Sequence, residues 1–212
     1  MKTIGLIGGM SWESSLEYYR IINETVKEKL GGHHSADCLM YSVDFGPVKD
    51  MQYAGEWESL TELMKEAALR LKNGGAGLIT ICTNTMHQMY SDVQEVSGLP
   101  VIHIADTTAE AIKSDSVSRV LLLGTRFTME KDFYKTRLTE KHGIEVLVPE
   151  PGDIGIINDI IYDELVLGQI KDSSRKKYLE IIDRAIEKGA GGVVLGCTEI
   201  PLLVKQEDVS VP

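Results

Sequence analysis

The stretch Asn73-Gly74-Gly75-Ala76-Gly77-Leu78-Ile79-Thr80-Ile81-Cys82-Thr83-Asn84 returns later in the chain as Glu187-Lys188-Gly189-Ala190-Gly191-Gly192-Val193-Val194-Leu195-Gly196-Cys197-Thr198. Each copy reads as a helix end, a Gly-Ala-Gly turn, a buried strand and a polar tip. A second echo pairs Ile4-Gly5-Leu6-Ile7-Gly8-Gly9 with Val120-Leu121-Leu122-Leu123-Gly124-Thr125 at nearly the same separation. Self-similarity at one fixed spacing is the mark of repeated structural units. The chain therefore divides into two related halves, 1–104 and 105–212, joined near His103 to Thr108.

Outward from the repeats, short aliphatic runs alternate with longer amphipathic stretches, the pattern of βαβ units on a parallel sheet. The expected fold class is α/β, with two similar Rossmann-like or flavodoxin-like parallel-sheet domains related by pseudo-twofold symmetry and the active site in the cleft between them. Strands are expected at Thr3 to Ile7, Cys38 to Val43, Leu78 to Cys82, Val101 to Ile104, Arg119 to Leu123, Glu145 to Val148 and Gly192 to Leu195. Helices are expected at Glu13 to Leu30, Glu56 to Lys72, Thr107 to Lys113, Lys131 to Lys141, Asp153 to Val166 and Ser173 to Glu187. In such folds ligands bind beyond the carboxyl ends of the strands. The tips to inspect are thus Gly8-Gly9-Met10-Ser11, Thr83-Asn84-Thr85, Gly124-Thr125 and Cys197-Thr198-Glu199.

With 212 residues, 43% of them hydrophobic, the chain can bury one large core or two smaller ones. A net charge of -10 leaves no basic stripe, so neither nucleic acid nor an anionic membrane surface is an expected partner. A small anionic substrate is still compatible, because backbone amides and helix N-termini bind carboxylates inside an acidic protein. Three cysteines, an odd number, with no apolar leader at Met1-Lys2-Thr3 point to reduced thiols and a cytoplasmic location. No apolar run approaches the roughly 20 residues that span a bilayer.

Aligning the Gly-Ala-Gly turns sets Gly75 against Gly189 and hence Thr83 against Cys197, while Cys82 falls against Gly196. Strand side chains alternate faces, so Cys82 points away from the position that Cys197 occupies in its own half. Thr83 and Cys197 would then flank one substrate from opposite sides. That arrangement suits inversion at an acidic carbon, one group removing a proton from one face while the other delivers a proton to the opposite face. A cysteine has a pKa near about 8.5 that its surroundings can bring into the working range of an acid/base group. A threonine hydroxyl is far less acidic, so Thr83 is the weaker base and serves as proton donor or relay.

Three ordered motifs carry a family resemblance: Ile4-Gly5-Leu6-Ile7-Gly8-Gly9-Met10-Ser11-Trp12-Glu13-Ser14 with Glu17-Tyr18-Tyr19; Cys82-Thr83-Asn84-Thr85-Met86-His87; and Gly196-Cys197-Thr198-Glu199-Ile200. Over essentially its whole length the chain resembles the aspartate/glutamate racemases that use no pyridoxal phosphate. It is most similar to the L-aspartate/glutamate-specific branch, in which a Thr/Cys pair replaces the usual Cys/Cys pair. The resemblance implies a cofactor-independent isomerase, an amino-acid substrate and a homodimer. It also implies that Cys197 acts on the L face and Thr83 on the D face. Asn84, Thr85 and Thr198 would hold the α-carboxylate and amine, with Met10, Ser11, Gln52 and Thr125 lining the pocket. Glu199, at the same tip as Cys197, is grouped with the substrate contacts. Two departures stand out. Some relatives place a basic residue just before the Leu167-Gly168 turn, where this chain reads Tyr162-Asp163-Glu164-Leu165-Val166, and relatives usually continue with a further helix where this sequence reads Val211-Pro212.

Other readings remain open at this level. Cys82 could be the second acid/base group, and Thr83 could merely cap the following helix. His87, one turn beyond Thr83, could tune a neighbour or satisfy a buried hydrogen bond. Cys38 reads as a buried structural thiol and His33-His34 as an exposed turn. The histidines and cysteines lack metal-ligand spacing, so no metal is expected. Neither a dinucleotide fingerprint nor a phosphate-binding P-loop is present, and no lysine stands at a strand tip to anchor pyridoxal phosphate. A broad-specificity racemase, a single-thiol decarboxylase-like enzyme and a catalytically silent amino-acid binder are the alternative functions.

Overall fold

Apolar residues at helical spacing drive each half to bury one face of every long helix against a parallel sheet. The computed structural model describes residues 2–212 and divides into two compact units, Met1–His103 and Ile104–Pro212. In the first unit, β1 (Ile4–Gly8) is followed by α1 (Trp12–Leu30), β2 (Cys38–Ser42), α2 (Phe45–Ala54), α3 (Trp57–Asn73) and β3 (Leu78–Ile81). A 3-10 turn (Thr85–Met89), α4 (Tyr90–Ser97) and β4 (Val101–Ile102) complete it. Its parallel sheet has the order β2-β1-β3-β4. On α3, Leu60, Met64, Ala67, Ala68 and Leu71 form the buried stripe, which packs with Ile7, Ile79 and Ile81 of the sheet.

The second unit runs α5 (Ile104–Ser114), β5 (Arg119–Gly124), α6 (Arg126–Glu130), α7 (Asp132–Thr136), a π turn (Arg137–Lys141) and β6 (Glu145–Leu147). It continues with α8 (Pro151–Asp163), a 3-10 turn (Leu165–Leu167), α9 (Asp172–Glu187), β7 (Val193–Gly196), α10 (Ile200–Leu203) and a 3-10 turn (Gln206–Asp208). Its parallel sheet has the order β6-β5-β7. Val120, Leu122 and Val194 pack there with Ala105, Ala109, Ile112, Tyr134 and Leu138.

The two α/β units repeat the same local devices. Each sheet begins with its first strand flanked by its second and third, so β2-β1-β3 matches β6-β5-β7. The pairing register repeats as well: Gly5 lies beside Ile79 as Leu121 lies beside Val193, and Ile7 beside Ile81 as Leu123 beside Leu195. Gly75 and Gly189 sit at φ +98° and +93°, the left-handed conformation that ends a helix and that glycine alone adopts without strain. In both, the next residue's amide reaches back into the helix, Ala76 N to Leu71 O at 3.0 Å and Ala190 N to Ala185 O at 2.9 Å.

Several expected elements differ in the structure. The strand expected at Val101 to Ile104 stops at Ile102, because the chain turns helical at Ile104 and carries that helix to Ser114. Helix α2 was not among the expected elements. Gly46-Pro47 looks like a breaker, yet a proline is tolerated in a first turn, and Asp44 caps the helix by accepting from Gly46 N at 3.1 Å. The single helix expected over Lys131 to Lys141 is instead α6, α7 and the π turn, since Lys131 is extended at ψ 156° and breaks the run. The helix expected over Asp153 to Val166 starts earlier, with Pro151 in its first turn, and ends at Asp163. Cys38 is half-buried rather than fully buried. His33 and His34 are exposed, as expected.

Candidate functional site

Strand alternation and the helix starts beyond each strand place the polar tips. In the first unit β1 ends at Gly8, and Ser11 caps α1 by accepting from Ser14 N at 3.4 Å, with the two hydroxyls 3.3 Å apart. The second unit uses the same cap: Thr125, after β5, accepts from Thr128 N at 3.4 Å, with those hydroxyls 3.2 Å apart. A β-carbon on Gly8 would come within 2.6 Å of Ser15 Oγ, and one on Gly124 within 3.0 Å of Thr128 Cβ. The missing side chains let each helix start close against its strand.

After β3, Cys82 is 0% exposed and points into the protein, and burial pushes its thiol up to about 12. Thr83 is half-buried. The residue at the cap position of the following 3-10 turn is Asn84, and no side chain caps that turn, so Thr83 is not the helix cap considered above. The Thr83 carbonyl is instead bonded to His87 Nδ1 at 2.7 Å. His87 stacks at a tilt on His103, ring centroids 4.9 Å apart, and Tyr90 lies 4.7 Å from the other imidazole. This buried aromatic group holds the tip from behind, the structural role open to His87. Asn84 and Thr85 are buried, and among the described residues Asn84 Oδ1 has no hydrogen-bond partner. Gln52, reaching the same unit's interior from α2, donates to Met86 Sδ at 3.3 Å. Met10 packs into the apolar core of the first unit.

After β7 the chain turns at Cys197-Thr198-Glu199 into α10. Cys197 Sγ donates to Glu199 Oε2 at 2.9 Å, and Thr198 Oγ1 donates to the same oxygen at 3.0 Å. Glu199 is 6% exposed. Although the Cys197 residue is half-buried, the atoms around its sulfur desolvate it. Desolvation first, and then the Glu199 carboxylate beside it, hold the thiol well above its ordinary pKa, while the amides of Thr198 and Glu199 pull the other way. Two residues here were missed by sequence reasoning. Asn158, a lone amide in the apolar run Ile156 to Ile161 of α8, accepts from Arg126 N at 3.1 Å and so fixes the turn after Thr125. Tyr178 of α9 is 0% exposed, donates to Ile157 O at 3.2 Å and feels the charge of Cys197. A polar residue inside an otherwise apolar helical face is the signal that could have found both.

Within each unit the structure gathers the expected residues at the carboxyl ends of the strands: Ser11, Thr83, Asn84 and Thr85 in the first, and Thr125, Cys197, Thr198 and Glu199 in the second. Among the described residues, no group of three or more His, Cys, Asp or Glu side chains could hold a metal ion, and no helix is long and apolar enough to cross a membrane.

A family model described as Asp/Glu/hydantoin racemase matches residues 7–212. A candidate Asp/Glu racemase from Yersinia pestis, known from its crystal structure, is 51% identical with a TM-score of 0.93, the match covering 100% of this chain and 92% of that one. An aspartate racemase homologue from Pyrococcus horikoshii OT3 is 40% identical with a TM-score of 0.84, at the same coverage of 100% and 92%. Glutamate racemase from Persephonella marina is 26% identical over 169 residues, 74% of this chain, and the match spans 63% of the length of that enzyme. The chain belongs to the Asp/Glu/hydantoin racemase family, and its class is that of the amino-acid racemases, which are isomerases.

Proposed function

We propose that the protein interconverts the enantiomers of aspartate or glutamate without a cofactor, with Cys197 acting on the L face of Cα and Thr83 on the D face. The observation that carries this reading is the repeated strand register, which gives Thr83 and Cys197 the same place at the ends of β3 and β7. Cys197 as thiolate takes the α-proton of the L enantiomer, leaving the electron pair on Cα and its carboxylate; a proton delivered from the Thr83 side completes inversion. The reverse sequence returns D to L. Asn84 supports an amino-acid ligand, since a buried carbonyl oxygen without a donor fits an α-ammonium group. Thr85 and Thr198 are assigned to the remaining α-substituents, and Ser11, Thr125, Gln52 and Met10 to the walls. The side-chain preference is the less constrained part. The stretch before Gly168 carries Glu164, whose carboxylate accepts from Ser174 Oγ at 2.6 Å and pairs with Lys171 at 3.3 Å.

Because a thiol ionises far more readily than an alcohol, and so is the better source of an anionic base near neutral pH, the pair is unequal and the enzyme should favour L substrates. Cytoplasmic action on a free amino acid, by a homodimer, completes the proposal. Chiral chromatography of L-aspartate and L-glutamate incubated with the protein should reveal the D enantiomer of at least one. Cys197→Ala should abolish its formation, and D product formed at the wild-type rate by that variant would refute the assignment.

A further inference from the structure

The two tips that the repeat matches are fastened by different means. In the second unit the Cys197 carbonyl accepts from a backbone amide, that of Ile200, at 3.1 Å. In the first, the 3-10 turn draws the His87 amide back to Asn84 O at 3.0 Å, and it is the His87 ring that reaches the Thr83 carbonyl, Nδ1 to O at 2.7 Å. The register that sets Thr83 against Cys197 sets His87 against Pro201, so the second unit has no imidazole at that place. We infer that His87 is the positioning residue of Thr83: its Nδ1–H fixes the Thr83 peptide, and with it the direction from which the Thr83 hydroxyl meets the substrate. This rests on the role of Thr83 proposed above and supplies what holds that residue, since no side chain caps the turn that follows it.

A carbonyl oxygen only accepts, so Nδ1 carries the hydrogen of this bond. The ring is held in place from its far side. His87 is 2% exposed, its ring lies 4.9 Å from that of His103, and the Tyr90 ring lies 4.7 Å from His103 in turn. Tyr90 opens α4 and His103 follows β4, so the brace ties the β3 tip to two neighbouring elements of the same unit rather than to a loose loop. A threonine at a strand end has few ways to aim its hydroxyl once its backbone is fixed, because the branched side chain is stiff at χ1. Shifting a reacting group by about 1 Å can cost on the order of 100-fold in rate. No proton passes through the imidazole: Nδ1 keeps its hydrogen throughout, and delivery to the D face stays with the Thr83 side.

His87→Leu fills the buried site but removes the donor, whereas His87→Gln keeps an N–H for the Thr83 carbonyl. For conversion of the L substrate to the D form, kcat should fall about 10-fold or more in His87→Leu, while KM changes less than about 3-fold. His87→Gln should recover most of the lost rate. Should His87→Leu not fold, His87→Phe takes its place under the same expectation, keeping a ring against His103 and still lacking the donor. Independently of turnover, backbone amide hydrogen exchange should quicken about 10-fold over Thr83 to Thr85 in the variant without a donor, the size of one lost hydrogen bond, while Ile79 to Ile81 of β3 keep their wild-type protection. A folded variant without the donor whose kcat is unchanged overturns the inference. So does a loss confined to KM, a His87→Gln protein as slow as His87→Leu, or amide exchange at the tip that does not change. Wild-type protein that never racemises fails the function proposed above instead, and the amide exchange then still decides whether His87 holds the Thr83 tip.

Discussion

Cys82 and Thr83 are neighbours in the chain and opposites in environment. Cys82 is sealed in the first unit with its thiol pushed up to about 12, so ionising it is costly at neutral pH. Thr83 keeps part of its surface open. Cys82→Ala should therefore leave the racemisation rate within about 3-fold of wild type, and Thr83→Cys should raise the rate on the D enantiomer by about 10-fold or more. Both are read by following each enantiomer separately; an inactive Cys82→Ala that folds normally would reinstate Cys82 as the partner. That Cys82 is buried while Thr83 keeps exposed surface was legible in the sequence, because the Gly-Ala-Gly turn pins the register and strand alternation does the rest. The bond from Cys197 to Glu199 was not. Adjacent letters in Cys197-Thr198-Glu199 do not reveal that the turn into α10 folds the carboxylate back onto sulfur.

Helices with a clean apolar stripe were legible, and α3 is the clearest. Leu60→Ala there should cost about 2–5 kcal/mol in chemical denaturation, because a fully buried leucine leaves a cavity. Helices whose ends are set by tertiary partners were not legible. The region from Arg126 to Lys141 breaks at Lys131 and closes with a π turn, and that turn assembles Arg137, Lys141 and His142 around Asp106 of α5. Arg137 Nε and Nη2 each donate to the carboxylate at 2.8 Å, Lys141 Nζ at 2.7 Å, and His142 Nε2 lies 2.8 Å away. The Arg137 guanidinium foremost, then His142 and Lys141, hold the Asp106 carboxyl well below the usual carboxylate range. The folded pKa lies below the unfolded one, so the stabilisation is complete above about pH 4 and drains away as the pH falls further. Asp106→Asn should lower stability at neutral pH by about 1–2 kcal/mol and flatten this acid dependence, as read from urea midpoints at several pH values. A variant with the wild-type acid profile would show that the cluster contributes nothing.

At the scale of the whole chain, each unit carries its own parallel sheet and its own apolar core, and the duplication seen in the sequence reappears as matched strand order, matched register and matched helix caps. On the proposed function, an acidic chain of net charge -10 binds its anionic substrate with local dipoles and hydrogen bonds rather than with an attractive overall field. The central claim is that Cys197 breaks the Cα–H bond of the substrate. Proton NMR of L-aspartate and of L-glutamate in deuterated water with the protein tests it directly. The account predicts that the α-proton signal of at least one disappears, that deuterium replaces it, and that Cys197→Ala stops the exchange. An α-proton signal that persists in both, or exchange at the wild-type rate in Cys197→Ala, would contradict it.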